Sequence, residues 1–119
     1  PAAVAAAETH CAPFVAAGLA RFRAASMEAI DLKGDTFDKV FAVNVNAFWR
    51  HALPILTTTR SALSHGGRLW LVYEPPSSAK AAEIKLRLSE RLSGGGLTAT
   101  FSTSQTASGA PLLAAEIRA

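Results

Sequence analysis

Two apolar runs separated by a helix-length segment constrain this chain more than any other feature. "KVFAVNV" (39–45) and "RLWLVYE" (68–74) are each near-continuously apolar, as strands buried on both faces are. Between them, Pro54 is suited to a helical first turn. Ile55, Leu56, Thr59, Ala62 and Leu63 recur at helical spacing up to Gly66-Gly67, with His65 at the negative end of that helix. Each run is therefore expected as a central strand of a parallel sheet.

The flanking segments extend this pattern. "AAVAAAETHCAPFVAAG" reads as a helix restarted at Pro13 and stopped at Gly18. "LARFRAA" alternates Ala20, Phe22 and Ala24 with Arg21 and Arg23, which predicts a half-buried edge strand. A loop follows, with a turn at Gly34-Asp35. After the second run, Pro75-Pro76 stops the strand and Ser77 or Ser78 caps a helix. That helix buries a stripe of Ile84, Leu88 and Leu92, pairs Glu83 with Arg87, and ends at "SGGG". "LTATFSTS" and "PLLAAEIRA" are joined too tightly for a parallel crossover and predict an antiparallel hairpin. The fold class expected is α/β: a three-layer Rossmann-like sandwich, its sheet mostly parallel and ending in an antiparallel hairpin. A doubly wound domain ordinarily opens on a strand and a glycine-rich turn, and neither stands at the start of this sequence.

Composition narrows the classes of function. Half of the 119 residues are hydrophobic and 18% are charged, which fits one packed domain. No apolar run reaches the length of a membrane span, and no secretory signal is visible, so a cytoplasmic protein is expected. The net charge of +3 comes from scattered basic residues, so no nucleic-acid partner is expected. A single cysteine, Cys11, excludes an internal disulfide and a multi-cysteine metal site. His10 and Cys11 are helix neighbours on different faces, which does not suit a Cys-His nucleophile, and His51 reads as a loop residue. "SGGG" follows a helix, whereas a phosphate loop precedes one.

"FDKVFAVNVNAFW", followed a helix later by "ALSHGGRLWLVYEPP" and by the closing hairpin, resembles the second half of class I S-adenosylmethionine-dependent methyltransferases. The resemblance spans nearly the whole chain. It implies a partial domain over 1–119, lacking the first strands and the glycine-rich loop, and part of a longer methyltransferase. It implies S-adenosylmethionine as cofactor and a small-molecule methyl acceptor. Ser26, Met27 and Glu28 fall where the family approaches the adenine, although Ser26 stands in place of the usual acidic residue. Val43, Asn44 and Val45 match the tip that lines the methionine portion of the cofactor. Asn46, Phe48, Trp49 and Glu74 lie where the acceptor would be met. The residues leave other roles open: amides capping the loop, aromatics packing the next helix, and Glu74 at a solvated strand end.

No catalytic set is readable, as methyl transfer needs little beyond proximity and orientation. A non-catalytic methyltransferase-like binding module is the alternative, and a nicotinamide-dependent enzyme of related architecture a third. An unpaired strand edge is expected to draw in a second copy.

Overall fold

A computed structural model describes residues 2–27, 29–50 and 53–118, with the Leu53 side chain left aside. The described chain divides into two compact units, Pro1–Ile30 and Asp31–Ala119.

The first unit is helical, for the reasons its sequence supplies. Alanine-rich α1 (Ala2–His10) runs to Cys11, and Pro13 sits in the first turn of α2 (Ala12–Ala16), where its missing N–H costs nothing. Gly18 takes φ 72°, and the Leu19 N–H donates back to the Phe14 carbonyl at 2.8 Å, closing the helix. Neither helix has a buried residue. Residues 20–26 hold no strand, contrary to the expectation from their alternation. Alternation places side chains on two sides, but a strand also needs a hydrogen-bonded neighbour, which alternation alone does not supply. Its small alanines also offer little to bury, and Phe22 remains 36% exposed.

The second unit begins with a tight turn one residue earlier than expected. Lys33 (φ 54°) and Gly34 (φ 80°) occupy its centre, and the Asp35 N–H donates to the Leu32 carbonyl at 2.9 Å. β1 (Phe37–Val43), α3 (Ala47–Arg50), α4 (Leu53–Ser61), β2 (Leu63–Tyr73), α5 (Ser78–Gly94), β3 (Ala99–Gln105) and β4 (Pro111–Arg118) follow. The four-stranded sheet has the order β1-β2-β4-β3. β1 and β2 run parallel, while β4 runs antiparallel to both of its neighbours. The α/β alternation and the closing hairpin are thus present as expected.

Two local expectations are corrected. The helix before β2 ends at Ser61, so Leu63, His65 and Gly66-Gly67 belong to the strand and not to a helix end. Apolar Leu63 satisfies either period. The glycines serve a bulge: Phe37 pairs with Leu63 and Lys39 already with Arg68. Gly66 takes φ 75° there, and a Cβ on Gly67 would lie 2.9 Å from the Ser64 carbonyl oxygen and 3.0 Å from that of Phe37. The second correction concerns β1, which is apolar enough to be central. Among the described residues it has only β2 beside it, leaving Phe41 75% and Val43 57% exposed.

The core lies on one face of the sheet. Leu69, Leu71 and Tyr73 of β2 stand beside Ile117, Ala115 and Leu113 of β4, all buried. α5 covers them with Ile84, Leu88 and Leu92, the stripe expected from the sequence. Ser77 caps α5 by accepting from the Lys80 N–H at 3.1 Å, and the helix closes at Gly95 with Gly96 at φ 71°. No helix among the described residues is long and apolar enough to cross a membrane.

Candidate functional site

Because β1 and β2 are parallel, their carboxyl ends open at the same end of the sheet, where ligands of open α/β sheets bind. The tip of β1 is held there by a small polar network. Asn44 follows the strand with φ 56°, a left-handed conformation that asparagine tolerates better than most residues. Its N–H donates to the Val72 carbonyl at 2.8 Å, and its Oδ1 accepts from the Glu74 N–H at 2.8 Å. The two strand tips are thereby locked together. The Tyr73 hydroxyl donates to the Val45 carbonyl at 2.9 Å, and burial pushes its pKa up, so it stays a neutral donor.

Asn46 starts the single turn of α3, which sequence reasoning did not resolve from the loop. Its carbonyl accepts from the Trp49 and Arg50 N–H groups at 3.2 and 3.0 Å, and its Oδ1 accepts from Trp49 Nε1 at 3.2 Å. Both asparagine oxygens are engaged by groups that can only donate, which fixes the amide orientations and leaves the –NH₂ ends as donors.

Asn44, Asn46, Trp49, Tyr73, Glu74 and Lys80 line a cavity of about 220 Å³. Trp49 is only 5% exposed, and its ring has the Arg50 guanidinium 4.9 Å and the Lys80 ammonium 5.1 Å from its centroid. Lys80 also pairs with Glu83 at 2.9 Å. That hydrogen bond leads the influences holding the Glu83 carboxyl below its ordinary pKa.

Four of the expected site residues therefore converge: Asn44, Asn46, Trp49 and Glu74. Phe48 is buried at 3% exposure and does not line the cavity, while Val43 and Val45 are exposed along the tip. Ser26, exposed, and Met27, half-buried, belong to the first unit, and Glu28 and His51 lie outside the described residues. Tyr73, Arg50 and Lys80 are additions of the structure. For Tyr73, the signal was a polar-tipped aromatic closing an apolar strand. Lys80 could be placed only once the first turn of α5 was fixed. A larger groove of about 520 Å³ lies between α5 and the hairpin, lined by Ser78, Lys85, Thr103 and Gln105 among others. Among the described residues no cluster of His, Cys, Asp or Glu is arranged to hold a metal ion.

Comparison with solved structures identifies the architecture. The magnesium protoporphyrin IX methyltransferase from Synechocystis PCC 6803, crystallised with bound SAH, superposes with a TM-score of 0.64 at 15% identity, over 97% of this chain and 58% of that one. The N-methyltransferase NodS from Bradyrhizobium japonicum WM9 in complex with S-adenosyl-L-homocysteine gives 0.53 at 17% identity, over 91% and 58%. An rRNA methylase from Streptococcus thermophilus gives 0.54 at 14%, over 90% and 63%. The chain has the fold of class I S-adenosylmethionine-dependent methyltransferases. It spans little more than half the length of each of these three. No protein-family profile and no curated protein matches it.

Proposed function

We propose that this chain forms the later part of an S-adenosylmethionine-dependent methyltransferase acting on a small-molecule acceptor in the cytoplasm. The observation that carries the reading is the cavity beside Asn44, at the carboxyl ends of two parallel strands in a chain with this fold.

When bound, the cofactor supplies a methyl group on a sulfonium. This chain's residues would hold and orient. The cavity is smaller than the roughly 300–1,000 Å³ of complete small-molecule sites, so it takes one end of a ligand. The –NH₂ groups of Asn44 and Asn46 are free to donate, which fits the carboxylate of a methionine moiety better than its ammonium. Val43 and Val45 flank that end. Ser26, Met27 and Glu28 are assigned to the adenine on the resemblance alone. Two cations already crowd the Trp49 ring, making it a poor seat for a sulfonium. Buried Phe48 belongs to the core, Trp49 orients the Asn46 amide through its Nε1–H, and Glu74 meets the acceptor.

A non-catalytic, methyltransferase-like binding module is the second reading, favoured by Ser26, which lacks the charge of the family's acidic residue. Calorimetric titration of the parent polypeptide with S-adenosylmethionine tests the first reading. Binding is expected, weakened about tenfold in Asn44→Ala by the loss of roughly 1.4 kcal/mol of hydrogen bonding. Silence at millimolar cofactor removes both the donor and the activity. Binding without transfer to any acceptor of a small-molecule panel supports the second reading.

A further inference from the structure

We propose that the groove between α5 and the closing hairpin is a ligand site of its own, one that takes a small organic monoanion: a carboxylate carried on an apolar body. This does not depend on the methyltransferase reading. The groove lies at the β3–β4 side of the sheet, and its walls come from within residues 78–113. Its volume of about 520 Å³ is within the roughly 300–1,000 Å³ of small-molecule sites. Ala81, Ala82, Pro111 and Leu113 give it an apolar lining, which three polar side chains interrupt. Thr103 and Gln105 stand opposite Leu113 and Pro111 in the β3–β4 register, so they share the face of the sheet on which Leu113 is buried. Positions on a core-facing side are ordinarily apolar. Yet both residues are exposed, and neither side chain has a hydrogen bond among the described residues. Lys85 is the third. Three and four residues away along α5 it has Ala81, Ala82, Leu88 and Ser89, so its own helix offers it no carboxylate, whereas Lys80 and Arg87 share Glu83. The Lys85 ammonium lies 5.5 Å from the Phe101 ring centroid, so the side chain reaches from α5 to β3. It forms no ion pair among the described residues.

The occupant follows from this charge. One cation and no carboxylate line the groove, whereas Glu74 stands beside Lys80 and Arg50 in the Asn44 cavity. An anionic head can pair with Lys85 and accept from the Thr103 hydroxyl and the Gln105 amide, both of which can donate. A single ammonium balances one negative charge, which suits a carboxylate better than a phosphate dianion. The small side chains of Ala81 and Ala82 leave room for an apolar body against Leu113. The groove and the Asn44 cavity share no lining residue, so an anion in one does not occupy the other.

Amide NMR of the 119-residue chain, titrated with naphthoate and with the neutral alcohol naphthylmethanol, tests this. Naphthoate is expected to give saturable shifts at the amides around Lys85 and Thr103. Naphthylmethanol should bind about tenfold more weakly, since it lacks the charge-assisted bond. Lys85→Gln should weaken naphthoate by a similar factor of about ten and leave naphthylmethanol as it was. Ala82→Leu, which fills the groove, should weaken both. Lys85 and Ala82 are exposed, so circular dichroism melts of the two variants should stay in place. The absence of saturable shifts at these amides overturns the proposal, as does equal affinity for acid and alcohol, or an unaltered naphthoate affinity in Lys85→Gln. Shifts confined to Asn44 and Lys80 would put the anion in the other cavity and overturn it too.

Discussion

Asn44 shows how one residue serves both backbone and site. Its φ of 56° disfavours side chains with a Cβ by roughly 1–2 kcal/mol, while its Oδ1 bond to the Glu74 N–H returns about 1 kcal/mol. Asn44→Gly should therefore be near neutral, giving up the bond but also the strain. Asn44→Ala loses the bond and keeps the strain, and should cost about 1 kcal/mol. Urea unfolding of the three proteins measures this, and equal midpoints for Gly and Ala would contradict the strain. Tyr73 makes a second case. Burial raises its phenol above the ordinary value of 10.0, so the folded state favours the protonated form. The stability this gives is fully present below pH 10 and is lost as pH rises beyond it. Tyr73→Phe should cost about 1 kcal/mol near neutrality through its lost bond to Val45. Above pH 10 that gap should narrow, as chemical denaturation across an alkaline series would register.

α5 is the element whose sequence carried the fullest instructions. A serine cap, an apolar stripe at one-turn spacing and terminal glycines agree with one another, and the structure has all three. Ser77→Ala should lower stability by about 1 kcal/mol, and Leu88→Ala, at a position with 0% exposure, by about 2–5 kcal/mol. Thermal melts would rank the two, and a Leu88 loss no larger than the cap loss would argue against α5 as the lid of the core. The hairpin was equally plain, since its turn is too short for any other connection. The elements that escaped prediction are those whose local signal fits two answers. Ala62 and Leu63 satisfy helix and strand periods alike, and the Gly66-Gly67 pair reads as a terminator unless the bulge opposite Phe37 is known. The apolar character of β1 foretells a strand but not which neighbour lies beyond it. For the site, the asparagines and Glu74 could be found because they end strands. The contribution of Lys80 depends on packing between elements distant in sequence.

The two units divide the labour of the molecule unequally. Every buried apolar side chain described lies between Phe48 and Ile117, and α1 and α2 bury none. Cooperative stability arises from burial, so it should reside almost wholly in residues 31–119. Deleting residues 1–30 should leave the far-UV spectrum of the sheet and shift the melting temperature by only a few degrees, as about 1 kcal/mol does in a domain of this size. Cofactor binding should respond differently. If Ser26 and Met27 approach the adenine, replacing both by alanine in the parent polypeptide should weaken S-adenosylmethionine binding by about tenfold while the melt hardly moves. Calorimetric titration beside differential scanning calorimetry separates the two effects. A collapse of the melt would show that the first unit holds the second together, whereas an unchanged affinity would remove Ser26 and Met27 from the site.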